Sequence, residues 1–240
     1  MCGRFTQKSE RSIISREFYI QEFVSEVYIS YNVAPSEQAG VVLRDPGDSA
    51  GGNLYARLRW GLVPFWADDP GIGNRMINAR AESVAGKASF KNAFKHRRCL
   101  VPVDGFFEWK KQDGGKQPYY VHHVSGKPMS LAGLWEAWDG GKKPPRPGIT
   151  EQPPGGEGLL YTFTIVTTDA NDKIRGLHDR MPAIIPPGGR DDWLHAAPGD
   201  PGKLLALLVP APDEEIDFHQ VSRAVNSPQN KSPQCIEPVG

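Results

Sequence analysis

Apolar and polar positions alternate along much of this chain in short runs, with a period nearer two than 3.6. Strand-like runs cover residues 40–43, 55–60, 99–103, 106–110, 119–123, 129–134 and 161–167, each rich in β-branched or aromatic residues and bounded by turn formers. Asp45-Pro46-Gly47-Asp48 and Asp113-Gly114-Gly115 are turn signals between such runs. Helical spacing is rarer. Residues 7–28 place Ile13, Ile14, Phe18 and Phe23 roughly on one side, which predicts a first helix, and a late helix is expected at 201–208. The pattern is mixed, with strands dominating. Strand density is similar on both sides of the chain's middle, so a single domain over 1–240 is expected.

One stretch breaks the pattern. Residues 139–158 hold five prolines and six glycines with almost no apolar side chains, which predicts a mobile surface loop joining two strands of one domain. Elsewhere, 39% hydrophobic and 10% aromatic residues are enough for a sizeable core. No run of about 18 apolar residues predicts a membrane span, and the polar start predicts no signal peptide. Three cysteines without CxxC spacing suggest neither a disulfide framework nor a zinc site, and fit a reducing cytosolic or nuclear setting. No cofactor is implied. Lys plus Arg and Asp plus Glu both number 28, so any nucleic-acid partner would have to meet a local basic face.

The second residue changes the picture most. In Met1-Cys2-Gly3-Arg4-Phe5, the small residue after Met1 favours removal of the methionine, leaving Cys2 with a free α-amine beside its thiol. Such a 1,2-aminothiol attacks a carbonyl through either atom and closes a five-membered thiazolidine on an aldehyde. The ordinary pKa values, about 8.5 for the thiol and about 7.7–8.0 for the amine, are close enough to neutrality to be tuned.

Other polar residues stand in apolar or turn surroundings. Alternation places Asn78, Arg80 and Glu82 on one face of an extended segment; the plainer reading is a solvated strand face. Glu108, among Phe106, Phe107 and Trp109, would have a raised pKa if buried, as a general acid or base near neutrality requires; the alternative is an edge-strand carboxylate in water. His178, beside Asp179 and Arg180, suits proton transfer or an anion contact, whereas His122 and His123 read as packing or surface residues. Trp60, Phe65, Trp66 and the runs Arg97-Arg98 and Lys110-Lys111 are of types that stack on bases and hold phosphates. Tryptophans are also common in cores, and charge runs are often merely solvated.

Together these segments are more specific than any alone. The chain resembles the SRAP family, the SOS-response-associated peptidase domain, nearly end to end. The resemblance rests on the opening pentapeptide, Tyr31-Asn32-Val33-Ala34-Pro35, Arg59-Trp60-Gly61-Leu62-Val63-Pro64, Ile77-Asn78-Ala79-Arg80-Ala81-Glu82, Asp104-Gly105-Phe106-Phe107-Glu108-Trp109-Lys110, Thr164-Ile165-Val166-Thr167, Leu177-His178-Asp179-Arg180-Met181-Pro182 and Val221-Ser222-Arg223-Ala224-Val225-Asn226. It implies an α+β fold: a curved, mixed, mainly antiparallel sheet forming a pseudo-barrel with short flanking helices. It also implies a monomer that traps abasic sites in single-stranded DNA, including single-strand/duplex junctions, as a covalent crosslink in the DNA damage response. On that resemblance Cys2 is the nucleophile, Asn78, Glu108 and His178 assist it, and Arg4, Asn32, Pro35, Trp66, Arg80 and Arg180 meet the DNA. Self-removal of Met1 as a thiol peptidase, lyase-like crosslinking and a cytoplasmic, nucleoid-associated location are further implications. Two departures stand out: Ala67 occupies a position where some bacterial members carry a second tryptophan as a wedge, and the 139–158 loop is long. Two other readings stay open. An N-terminal-nucleophile glutaminase also begins Cys-Gly after Met1 removal, and a passive reader of modified bases would need the aromatics but no free Cys2.

Overall fold

The computed structural model describes residues 2–45, 52–112, 115–141, 158–197 and 201–239. Its strands are β1 (Phe5–Gln7), β2 (Ile20–Phe23), β3 (Ser30–Val33), β4 (Gln38–Arg44), β5 (Asn53–Trp60), β6 (Asn78–Arg80) and β7 (Arg98–Val103). They continue as β8 (Gly105–Gln112), β9 (Gly115–His123), β10 (Met129–Trp138), β11 (Leu160–Asp169), β12 (Arg180–Pro182) and β13 (Ile216–Gln220). The helices are short: α1 (Arg11–Phe18), α2 (Ala81–Val84), α3 (Lys91–His96), α4 (Asp172–Arg175), α5 (Arg190–His195) and α6 (Pro201–Ala206).

Two sheets carry the architecture. The larger runs β12-β11-β10-β7-β4-β5-β2, and a parallel pairing of β11 with β5 (Thr162↔Arg59, Phe163↔Trp60) closes β11, β10, β7, β4 and β5 into a five-stranded ring. Closure removes the open edges that would otherwise invite pairing with another chain. The smaller sheet runs β13-β9-β8-β1-β3. The expected α+β fold with a barrel and short helices is therefore present.

The ring strands are apolar on both faces, as strands covered on both sides must be. One set of alternating residues (Val41, Leu43, Leu58, Trp60, Val101, Leu131, Phe163 and Ile165) joins Phe5, Val33 and Phe106 of the smaller sheet in one core. The opposite set (Val42, Tyr55, Leu100, Leu134 and Val166) packs under Phe94, Trp193 and Leu204 of α3, α5 and α6. At the turn after β5, Gly61 takes φ +122, and a β-carbon there would lie 2.6 Å from the Gly73 carbonyl oxygen, so only glycine fits without strain.

The expected strand runs are all present, most of them longer by a few residues, and the late helix forms at 201–206. The long first helix does not form. Ile14 and Phe18, four apart, bury one face of α1, but Tyr19 then turns left-handed (φ 52, ψ 49). Residues 20–23 leave the helix to pair with β5 as β2. The turn expected at 45–48 lies largely outside the described residues, as do the tip of the turn at 113–115 and the body of the 139–158 loop.

The basic run at 97–98 is structural and not a phosphate contact. Arg97 and Arg98 are 2% and 5% exposed. Arg97 pairs with buried Glu136 at 2.5 Å, and Arg98 donates to the carbonyls of Phe94, Lys95, Trp193 and Ala196, tying α3 to α5. Trp60 is likewise core, fully buried and 4.8 Å from Phe5 between ring centroids.

Candidate active site

The chain's first residues are fixed by β1, which lies between β3 and β8. Phe5 pairs with Val33 on one side and Phe106 on the other, and the Phe107 N–H donates to the Arg4 carbonyl at 2.9 Å. This antiparallel register runs Cys2 alongside the Glu108–Trp109 end of β8. Its carbonyl accepts from Asn78 Nδ2 at 2.8 Å. Asn78 reaches it because β6 lies parallel to β11, with Asn78 opposite Ile165. The Asn78 Oδ1 is buried and accepts no hydrogen bond among the described residues, so one acceptor stands open beside Cys2.

The Cys2 side chain is fully buried. Burial, and then the charge of Glu108, push its thiol well above the usual range, against the Arg4 backbone N–H and the amino-terminal charge. Glu108 is itself only 3% exposed. Burial raises its carboxyl, while the amino-terminal charge and His178 pull the other way. A carboxyl shifted upward in this manner keeps its proton to a higher pH than an exposed glutamate does.

His178 follows the short helix α4. Its Nδ1 lies 3.0 Å from the Arg180 N–H and 2.6 Å from Asp179 Oδ1. One nitrogen cannot both accept from the amide and donate to the carboxylate. The Arg180 N–H and the Asp179 carboxylate both lie against this nitrogen and hold the ring in place. Arg4, Glu108, Trp109, Lys116, His178 and Asn226 line an open cleft of about 450 Å³. Cys2, Asn78, Glu108 and His178, scattered over 176 positions of sequence (178 − 2), thus meet around one site.

The residues expected to meet DNA are placed less uniformly. Arg4 lines the cleft, its Nη1 donating to Asn32 Oδ1 and to the Val225 carbonyl, both at 2.8 Å. Asn32 takes a different role from the phosphate contact expected. It is fully buried, and its Nδ2 donates to the carbonyls of Val225, Ser227 and Asn230. It is a clasp that fastens the C-terminal segment behind Arg4. Arg180 is also engaged, paired with Glu82 at 2.6 Å and Asp169 at 2.7 Å and donating to the Thr167 carbonyl. Little of its charge is left for a phosphate. Arg80 is exposed and Pro35 half-buried. Glu82 does not share the strand face of Asn78 and Arg80, because the chain enters α2 at Ala81. Trp66 is 39% exposed and, with Phe65, Lys91 and Lys95, borders a groove of about 560 Å³. Ala67 is buried and offers no wedge, its carbonyl accepting from Trp138 Nε1.

Replacing Asn32 by alanine removes three donations to carbonyls of the C-terminal segment and the Oδ1 acceptor of Arg4, although the Val225 carbonyl keeps its bond from Arg4 and the Ser227 carbonyl its bond from the Asn230 N–H. The expected cost is on the order of 3 kcal/mol, with faster proteolysis after residue 220. A urea midpoint equal to the parent's would show the clasp to be dispensable.

Sequence reasoning did not single out Lys116, and reached Asn226 only as the end of a quoted segment. Lys116 has no sequence signal, since only the β8–β9 register brings it to the cleft. Asn226 accepts from Trp109 Nε1 at 2.8 Å, a contact across 117 positions.

The chain has known relatives. The family model described as "SOS response associated peptidase (SRAP)" matches residues 1–228. The chain is 40% identical over 240 residues to the Abasic site processing protein YoqW of Bacillus subtilis, covering 99% of each chain. It is 36% identical over 238 residues to the Abasic site processing protein HMCES of Gallus gallus, covering 88% of this chain and 66% of that one. A crystal structure of a protein from Bacteroides thetaiotaomicron superposes with a TM-score of 0.80 over 99% of this chain and 100% of that one, at 24% identity, which speaks to the fold.

Proposed function

The chain belongs to the SOS response associated peptidase (SRAP) family, and from that premise we propose that it captures abasic sites in single-stranded DNA as a thiazolidine on Cys2. The observation that carries the proposal is the meeting of Cys2, Asn78, Glu108 and His178 beside one cleft that also holds Arg4 and Lys116. The names of the relatives, abasic site processing proteins, support the same substrate.

The reaction requires removal of Met1, by the protein itself as a thiol peptidase or by an aminopeptidase. The freed Cys2 amine attacks C1′ of the ring-opened deoxyribose to give a carbinolamine. Glu108 donates a proton to the departing hydroxyl, which leaves as water, and a protonated imine remains. The Glu108 carboxylate then takes the thiol proton as sulfur adds to the iminium carbon, whose electron pair returns to nitrogen and leaves a neutral ring amine. One aldehyde and one aminothiol give one thiazolidine and one water. His178 gives a proton to the sugar oxygen during ring opening. Asn78 holds the Cys2 carbonyl, and its open Oδ1 is an acceptor for the new amine. Amine and thiol sit on adjacent carbons, so ring closure needs no further encounter. Intact nucleotides lack an aldehyde, which makes the chemistry selective. The neutral thiol favoured by burial stays unreactive until a base is at hand.

The protein acts in this reading as a monomer without cofactor, on single strands and on junctions where Phe65 and Trp66 stack in place of the absent second tryptophan. Two measurements test it. Intact mass of the purified protein is expected to begin at Cys2. Incubation with an oligonucleotide bearing one abasic site is expected to give a product that survives a denaturing gel. A protein that keeps Met1 and still forms the product would sink the thiazolidine route.

A further inference from the structure

At the cleft's edge and beyond it, the β8–β9 hairpin carries cations to which the capture steps assign no proton transfer and which the core does not use. Lys111 and Lys116 are directly opposed across the hairpin, and alternation puts both on the Trp109 face, away from Glu108. The Arg223 guanidinium joins them from the C-terminal segment, 3.9 Å from where a β-carbon on Gly115 would lie. All three side chains are exposed, and none is held in an ion pair or side-chain hydrogen bond among the described residues. Like charges directly opposed on a sheet repel, so this arrangement weakens the hairpin unless an anion lies across it. Lys116 also lines the cleft together with Arg4, Trp109 and Asn226, and Lys111, opposite it, lies two residues beyond Trp109 along β8. The basic strip therefore continues from the reaction site outward.

We propose that Lys111, Lys116 and Arg223 form a track for the phosphodiester backbone of single-stranded DNA on one side of the abasic site. The proposal rests on the capture reading above and adds to it where the strand leaves the cleft. Exposed cations of this kind grip phosphates without reading sequence. They lengthen the bound strand on one flank only, because the strip leads away from a single end of the cleft.

The test uses the full chain and a single-stranded oligonucleotide carrying one tetrahydrofuran residue, which has no aldehyde and so reports binding without capture. The variant Lys111→Gln/Arg223→Gln leaves every cleft-lining residue in place. Loss of two phosphate contacts is expected to lower the slope of log affinity against log salt by about 1.4, so that the gap from the parent closes about sevenfold between 50 and 200 mM salt. Shortening one flank of the oligonucleotide is expected to weaken the parent more than shortening the other, and the variant is expected to lose that asymmetry. A control, Lys127→Gln/Lys203→Gln, removes two lysines already paired with Glu17 and Asp192 and is expected to keep the parent's slope. A double variant with the parent's slope and flank asymmetry would overturn the track. A parent that binds no single-stranded DNA would overturn the capture reading itself.

Discussion

Cys2→Ala is expected to abolish the gel-stable product while leaving non-covalent binding to single-stranded DNA within a few-fold of the parent. The reason is a division of labour in the site. In the proposed reaction the bond to the lesion needs the thiol, whereas phosphate contacts from the cleft-lining Arg4 and Lys116 and from exposed Arg80 would not depend on it. Cys2→Ser separates the two chemical steps. Its amine still forms an imine, which borohydride reduction fixes as a secondary amine, but its hydroxyl closes no stable five-membered ring. The expected result is crosslinking by Cys2→Ser only when reductant is present. Crosslinking by Cys2→Ala at the parent's rate would mean that another group is the nucleophile.

Glu108→Gln is expected to slow capture by roughly 10²-fold or more, the usual cost of losing a general acid and base. Glutamine keeps the shape and can still hydrogen-bond, but it shuttles no proton. The same change has an opposite effect on stability. Burial raises the Glu108 carboxyl above its value in the unfolded chain, so the folded state binds this proton more tightly. That contribution to stability is complete below the unfolded value of about 4.3, and it is lost as pH rises through the folded value. At pH 7–8 the parent carries the cost of a desolvated carboxylate and the variant does not. Glu108→Gln should therefore be the more stable protein near neutrality, with the margin vanishing toward pH 4. Single-turnover rates across pH 5–8 and denaturant midpoints at both ends check the pair of effects. A rate within twofold of the parent, or no gain in stability, would remove Glu108 from the proton-transfer role.

How much of this was legible in the sequence depends on the distance over which a residue finds its partners. The ring strands were readable because their apolar residues come in dense runs that local patterning reveals. β1, β6 and β12, three residues each, were not, since so short a strand exists only through its neighbours. The long first helix failed for a related reason. Phe23, five residues after Phe18, falls off the face that Ile14 and Phe18 bury, and β5 offers residues 20–23 a hydrogen-bonded ladder instead. Around the site, Cys2, Asn78, Glu108 and His178 could be singled out because each is chemically out of place in its own segment, and the structure brings the four together. Asn32 and Arg180 were given phosphates because polar residues in a DNA-binding motif invite that reading. The structure gives Asn32 carbonyls and Arg180 carboxylates, partners that lie up to 198 positions away for Asn32 and 98 for Arg180.

The clasp between Arg4 and Val225 joins residues 221 positions apart. Synthesis at 5–20 residues per second separates their appearance by roughly 10 to 45 s. For the first part of that interval β1 lacks β8 (Gly105–Gln112), and for the whole of it β1 lacks the C-terminal segment. The aminothiol is made first and sheltered last, so a nascent chain already trimmed of Met1 presents an open trap for any small aldehyde in its surroundings. Burial of the thiol protects the finished protein only, and how quickly the last thirty residues dock sets how many molecules reach DNA with Cys2 unspent.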